Sequence, residues 1–344
     1  MEDLKSHILN TFDIALKEQY ICIYYQPVIR TLSNQLCGFE ALSRWIDPEY
    51  GLIGPEQFVP VLEEYRLIHR LDLYVADAVC ARLRKTINSK NSPVPVSINL
   101  SRLDFDLCDM FKEVEKIVKK YRIPHNLLNI EITESTIADH EEMMRTVIDN
   151  FHNAGHQVWM DDFGSGYSSL NALKDFDFDE LKLDMRFLSS FHVRAQRILT
   201  SVVQMAKDIE IHTLAEGVET EEQYTYLRDI GCEKVQGFYF GKALPYEEAL
   251  ENIRKKGITT ENLKEQNYYD EIGRINVLSA VPFMSREERL MSDTGKDLNS
   301  LPLAILEIRS DRLKLLFYNT EFKKTFSSLF FITPMIRGRM FTEE

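Results

Sequence analysis

Cysteine is sparse and scattered in this chain of 344 residues: Cys22, Cys37, Cys80, Cys108 and Cys232 form no C-x-x-C pair. An odd, unclustered set argues against a disulfide framework or a zinc knuckle. Long apolar runs are also missing. No stretch approaches the ~20 residues a membrane helix requires, and the opening MEDLKSHILNTFDIALKEQY has no signal-peptide core. The expectation is a soluble, cytoplasmic chain with no membrane contact from this segment. Basic residues are the third shortage: 41 Lys and Arg stand against 54 Asp and Glu, a formal net charge of −13. A nucleic-acid polymer is bound through a basic stripe that displaces counterions, so that partner is excluded. A small anion held through metal ions is not.

What is present is enough for a substantial core. Hydrophobic residues make up 44% and charged residues 28%, and the length suits two domains, or one large barrel with an appendage. Short apolar, β-branched runs predict strands near Ile21–Ile29, Leu36–Leu42, Val94–Asn99, Leu128–Ile132, Gln157–Met160, Glu180–Leu183, His212–Ala215 and Lys234–Gln236. Helical periodicity falls between them over Pro55–Asn88, Asp106–Tyr121, Ala138–Ala154, Phe187–Glu210 and Thr220–Ile230, with Gly155 and Gly231 as stops and Asp139 as an N-cap. Eight strands mostly alternating with helices predict an α/β fold of the (β/α)₈ barrel type. Only six residues, RTLSNQ, separate the first two strands. That is too few for a crossover helix, so the first strand should run antiparallel.

A helix over Tyr246–Lys256 carries acids first and bases last and stops at Gly257. The barrel is therefore assigned to residues 1–256, a partly helical connector to 257–300, and a small α+β appendage to 301–344. In the last of these, Leu301–Asn319 reads as two strands around a turn at Ser310–Asp311. Forty-four residues are few for an independent core, so the tail reads as cut short.

Polar residues gather at the strand ends, which in a barrel share one rim. They are Glu40, Asn99, Glu131, Asp161–Asp162, Lys182, Glu216 and Gln236, in successive strands from the second to the eighth. Glu131 lies between Ile130 and Ile132, and Lys182 between Leu181 and Leu183, so alternation points each polar chain away from its apolar neighbours. Converging carboxylates raise one another's pKa unless cations hold them ionised. An all-oxygen set favours Mg²⁺ or Mn²⁺, two ions per site with a shared Asp being a common layout for phosphoester cleavage. Taken singly, each residue has a blander reading as a turn cap or surface charge; the joint placement is what selects the chemistry.

On these residues the chain resembles the EAL domain family of cyclic di-GMP phosphodiesterases over roughly residues 10–256. The motifs are GFEALSRW with Glu40, Leu42 and Arg44, SINLS with Asn99, EITES with Glu131 and Glu134, DDFGSGYSSL from Asp161, LKLD with Lys182 and Asp184, AEGVET with Glu216 and Glu219, and VQGFYF with Gln236. The resemblance implies that Glu40, Asn99, Glu131 and Asp161 hold one metal ion and that Asp161, Asp162 and Glu216 surround a second. Lys182 would hold the attacking water and Glu216 accept its proton, with Glu40 also counted as catalytic. Gln26, Leu42, Arg44, Asp184 and Gln236 would contact substrate. Glu134 and Glu219 would steady the DDFGSGYSS loop, near the interface of a homodimer. The implied reaction is in-line attack of water on one phosphodiester of cyclic di-GMP, giving linear pGpG.

The departures are small. Ala243 stands where the family carries proline, and Tyr65–Arg66 replace Thr-Gly before Leu67. Residues from Leu301, with Asn319–Phe322, resemble the opening of a PAS sensor; a docking arm on the barrel is the alternative. For the whole chain, a cyclic di-GMP receptor or scaffold acting through appended domains is the competing function. A Schiff-base lysine at Lys182 is opposed by the carboxylates that would raise its pKa.

Overall fold

The computed structural model describes residues 2–89, 92–133, 136, 141–164, 169–189, 191–275, 304–309, 312–318, 322 and 325. Strand β1 (Ile21–Arg30) runs antiparallel to β2 (Gln35–Asp47), with Gln26 opposite Glu40. In the structure the link is four residues, 31–34; Asn34 N–H bonds the Arg30 carbonyl at 2.9 Å and Asn34 takes φ 56°, a left-handed backbone that asparagine tolerates better than most residues. From β2 the sheet continues in parallel through β4 (Val96–Leu100), β5 (Leu128–Thr133), β6 (Val158–Phe163), β7 (Glu180–Leu183), β8 (His212–Ala215) and β9 (Lys234–Gln236). Pairing of β9 with β1, again antiparallel, closes the ring. The fold is thus the modified (β/α)₈ barrel expected, with an antiparallel first strand. A short strand β3 (Gly51–Ile53), not anticipated, extends the end of β2 outside the ring.

Two apolar cores result from strand alternation. Outward residues such as Ile98, Ile130, Ile132, Leu181 and Leu183 are buried beneath the helices, while Val28, Cys37, Trp159 and Leu214 form a separate cluster. Below that cluster lies a floor of paired charges. Lys234 reaches Glu180 at 2.5 Å and stacks 5.2 Å over Trp159, and Lys207 meets Glu233 at 3.1 Å. Arg30 meets Glu261 at 2.6 Å and Asp270 at 2.9 Å. Glu261 and Asp270 flank and belong to a helix over Leu263–Gly273, so the stretch that follows the last barrel helix is tied to the floor.

Helical periodicity overran its breaks in three places. The run Pro55–Asn88 is two helices, α1 (Pro55–Glu64) and α2 (Ile68–Asn88). The break is a Schellman turn: Leu67 N–H bonds the Leu62 carbonyl at 2.7 Å, Arg66 N–H bonds Glu63 at 2.9 Å, and Arg66 takes φ 57°. The run from Asp106 divides at Asp109, which caps α3 (Met110–Tyr121), and the run from Phe187 divides at His192, which caps α4 (Val193–Asp208). An N-terminal helix over Glu2–Lys17 buries Ile8, Phe12 and Ala15. Asp139 lies outside the described residues. Beyond residue 300, β10 (Ala304–Arg309) and β11 (Arg312–Tyr318) pair antiparallel, as the sequence suggested.

Arg66 holds a left-handed backbone without being glycine, which costs about 1 kcal/mol. Replacing it (Arg66→Gly) should raise stability by roughly 0.5 kcal/mol after the extra freedom glycine gives the unfolded chain; an unchanged or lower Tm in thermal unfolding would remove the strain assignment.

Candidate active site

Strand β7 is buried along its whole length, so its alternation sends Leu181 and Leu183 outward and Lys182 inward. The Lys182 ammonium is 1% exposed and sits 2.7 Å from Glu131, 2.8 Å from Glu216, 3.0 Å from Asp161 and 3.5 Å from Glu40. These carboxylates come from β5, from the residue after β8, from β6 and from β2. Register places Asn99 opposite Glu131 and Glu40 opposite Ser97, two residues before Asn99, whose Nδ2 reaches across to donate to Glu40 Oε1 at 3.0 Å. Gln236 donates to the other Glu40 oxygen. Its strand is fixed by Gly237, where any Cβ would run into the Val218 backbone.

Asp161 and Asp162 are consecutive, and simple alternation would send them to opposite faces. A bulge prevents this. Between Met160 and Phe163 the pairing to β7 slips by one residue, and Asp162 adopts φ 58°. Phe163 then takes the outward place opposite Leu183, while carboxylate oxygens of Asp161, Asp162 and Glu216 come within 4.8 Å of one another.

Four carboxylates around one ammonium leave three negative charges uncompensated, and the proton affinities follow. Burial, reinforced by Asp161 and Glu40 and only partly opposed by Lys182, pushes Glu216 up to about 7. Burial also raises Glu131 well above the usual carboxylate value, despite Lys182. Asp162 goes to about 6 through burial and its neighbours Asp161 and Asp184. Glu40 is the exception: burial is outweighed by Lys182 and by the hydrogen bonds from Gln236 and Asn99, which hold it below its ordinary value. Lys182 itself is kept protonated, since the carboxylates overcome the burial that would neutralise it. An ammonium so held is no free amine, which removes the basis for Schiff-base chemistry.

The remaining sequence candidates lie around this pit. Gln26 faces Glu40 across the hairpin, and Leu42 and Arg44 follow Glu40 on the same face of β2. Arg44 donates to the Ser43 carbonyl at 2.8 Å and lies over Tyr24. Asp184 accepts two side-chain hydrogen bonds from Arg186, each 2.9 Å, and is bonded to Asp162. Arg186 went unremarked in the sequence, although its place two residues after Asp184 is a usable signal. Glu219 has an exposed side chain, and its N–H is bonded by Gln223 at 2.8 Å. Glu134 and residues 165–168 of the DDFGSGYSS loop lie outside the described residues.

The donor set fits hard divalent cations. It is wholly oxygen, it carries excess negative charge, and Glu131 Oε1 and Gln236 Oε1 are buried with no hydrogen-bond partner.

A barrel with an acidic, cation-suited rim defines the class, and comparison with known proteins defines the family. The chain belongs to the EAL domain family, whose model matches residues 9–243. It is 31% identical over 248 residues to the bifunctional diguanylate cyclase/cyclic di-GMP phosphodiesterase MucR of Pseudomonas aeruginosa, covering 72% of this chain and 36% of that protein. It is 33% identical over 233 residues to the cyclic di-GMP phosphodiesterase PdeR of Escherichia coli, covering 67% and 35%. The chain therefore spans about a third of the length of these curated relatives. The solved PaMucR phosphodiesterase–c-di-GMP complex matches with a TM-score of 0.67 at 31% identity, over 71% of this chain and 99% of that one. An EAL domain protein from Listeria monocytogenes matches at 0.60 and 28%, over 70% and 95%. Among the described residues no helix is long and apolar enough to cross a membrane.

The raised carboxyls make a stability prediction. With Glu216 near 7 in the fold and 4.5 as its ordinary value, the folded state binds the extra proton, so its contribution is full below about pH 4.5 and is lost as pH rises through about 7. In EDTA, stability should fall from about pH 5 to about pH 8 by on the order of 2 kcal/mol more than in Glu216→Gln. Saturating Mn²⁺ should flatten the difference; parallel pH–Tm curves for wild type and variant in EDTA would refute the assignment.

Proposed function

We propose that the chain is a divalent-metal phosphodiesterase that hydrolyses cyclic di-GMP to linear pGpG in bacterial second-messenger signalling. The observation that carries this reading is the buried Lys182 ringed by Glu40, Glu131, Asp161 and Glu216 from separate strands. The names of MucR and PdeR supply the substrate class.

Glu40, Asn99, Glu131 and Asp161 would hold one ion, and Asp161, Asp162 and Glu216 would surround another. When bound, such ions lower the pKa of the attacking water and offset the charge on the attacked phosphate, which lets an acidic protein take a dianion. Lys182 supplies the fixed positive charge inside the pit and holds the water oxygen. Glu216, the most open of the four carboxylates at 20% exposure, receives the proton; a base poised near neutrality suits that task. Gln26, Leu42, Arg44, Asp184 and Gln236 form the wall against which the dinucleotide is placed. Bound away from bulk water, the phosphate is then attacked in line.

A homodimer is read on the same end of the barrel. Leu170, 63% exposed, directly follows the DDFGSGYSS segment in sequence and shares a surface depression with Ile198 of α4, 46% exposed. Covering such a patch removes apolar surface from water. Sedimentation should give a dimer for the wild-type chain and a monomer for Leu170→Glu with Ile198→Glu; a wild-type monomer at assay concentration would end this reading.

The function is tested by chromatography of cyclic di-GMP incubated with Mg²⁺ or Mn²⁺. Linear pGpG should form, EDTA should abolish it, and Glu40→Ala or Asp161→Ala should lower turnover by at least about a hundredfold with folding retained. Full turnover by either variant would sink the two-metal reading, and binding without turnover would favour the receptor.

A further inference from the structure

At the opposite end of the barrel, three side chains converge that no part of the reaction uses. Glu115 comes from α3, His125 from the turn before β5, and His156 from the link into β6. A helix end delivers the last of them. Gly155 takes φ 97°, and the N–H of His156 bonds back to the Phe151 carbonyl at 3.0 Å. Glu115 Oε1 lies 2.9 Å from His125 Nε2 and 3.3 Å from His156 Nε2. One ligand atom from each residue falls within 4.8 Å of the others.

The protons at His156 are the decisive detail. Its Nδ1 is 2.8 Å from the Leu128 carbonyl oxygen, which can only accept, so Nδ1 carries hydrogen. A neutral ring then aims the Nε2 lone pair at a carboxylate oxygen, which also has only lone pairs to offer. The His156 side chain is 0% exposed, so no solvent relieves that opposition. Something positive must stand between the two atoms. A proton on Nε2 is one solution; a cation bound by all three groups is the other.

We propose that Glu115, His125 and His156 bind one transition-metal cation of the Zn²⁺ class. A ring whose Nδ1–H is fixed by a backbone carbonyl and whose Nε2 faces inward is the usual arrangement of a metal-ligating histidine. Two imidazoles with one carboxylate form a set zinc accepts, with a water in the fourth position. Glu115 presents a single oxygen to the site, its other being taken by Lys119 at 3.2 Å. His125, 34% exposed, leaves a path for ion and water. The rim and this triad therefore sort cations by ligand type: all-oxygen for Mg²⁺ or Mn²⁺, nitrogen-bearing for Zn²⁺. The site pins α3 to the starts of β5 and β6 and has no part in hydrolysis.

The test compares wild type, His125→Ala, His156→Gln and the rim variant Asp161→Asn, each stripped with EDTA, incubated with ZnCl₂ and desalted. The expectation is that wild type and Asp161→Asn retain about one more zinc per chain than His125→Ala, with a Zn²⁺-induced rise in Tm that His125→Ala lacks. Loaded with Co²⁺, wild type should show the intense visible absorption of a four-coordinate site, absent from His125→Ala. Mn²⁺-supported turnover should be equal in wild type and His125→Ala. Because His125 is partly exposed, its variant is the one expected to fold, and its metal-free melting curve checks that. Equal zinc retention and equal Co²⁺ spectra in wild type and His125→Ala, or zinc lost only in Asp161→Asn, would overturn the site and leave the triad as a proton-bridged ion pair.

Discussion

The ammonium of Lys182 is the constraint on which the upper half of the barrel is built. Buried alone, it would lose its proton; without it, Glu40 would lose the charge that does most to hold it ionised against burial. Neither set can be dehydrated without the other, so the strands that carry them must hold a common register to within a hydrogen-bond length. Such clusters are poor sources of stability, because the desolvation of each charge is recovered only through its partners. The arrangement here is not even neutral. Four carboxylates against one ammonium are what a fold selected for stability alone would discard, and their retention makes sense as chemistry.

The floor of the same barrel makes the contrast. There, buried charges meet in near balance: Lys234 with Glu180, Arg30 with Glu261 and Asp270, Lys207 and His212 with Glu233. Glu233, although burial would raise it, is held down at about 2 by Lys207 and His212, whereas Glu216 at the rim is pushed up to about 7. The Val28, Cys37, Trp159 and Leu214 layer separates the two. Two ionic layers in one lumen thus differ in charge balance, although each holds a carboxyl shifted the other way, Glu180 raised in the floor and Glu40 lowered at the rim. The floor is compensated within the chain and binds residues 258–275 to the barrel; the rim is left in deficit and calls for cations.

Much of this was legible from residue order. Six residues between two apolar runs cannot hold a crossover helix, and that alone turned the first strand over. Polar residues at the ends of consecutive strands gave the rim before any contact was known. The helix breaks were hidden because amphipathic spacing runs through Tyr65–Leu67 without a glycine; Arg66 supplies the left-handed turn, and nothing in its side chain announces it. Gly155, at φ 97°, ends the helix between His152 and His156, so their spacing of four does not make them a helical pair. His156 finds its partner Glu115 at a separation of 41 residues, and His152 instead meets Asp179. Contacts of that kind follow from barrel closure, which brings α3 beside β6, and no periodicity encodes them.

The Asp161–Asp162 pair shows how function can override the local rule. A regular strand gives one inward carboxylate in two residues; this strand gives two, by inserting a residue and twisting Asp162 into the left-handed region. That backbone suits few side chains, glycine, asparagine and aspartate being the ones for which its cost is small. Glycine would keep the bulge and lose the charge, and glutamate would keep the charge in a residue poorly suited to the turn. Aspartate alone meets both demands. The position is therefore constrained twice, by conformation and by chemistry. Such double constraint separates a bulge that builds a site from one that merely ends a ladder, because relieving the backbone and preserving the second carboxylate cannot be done with the same substitution.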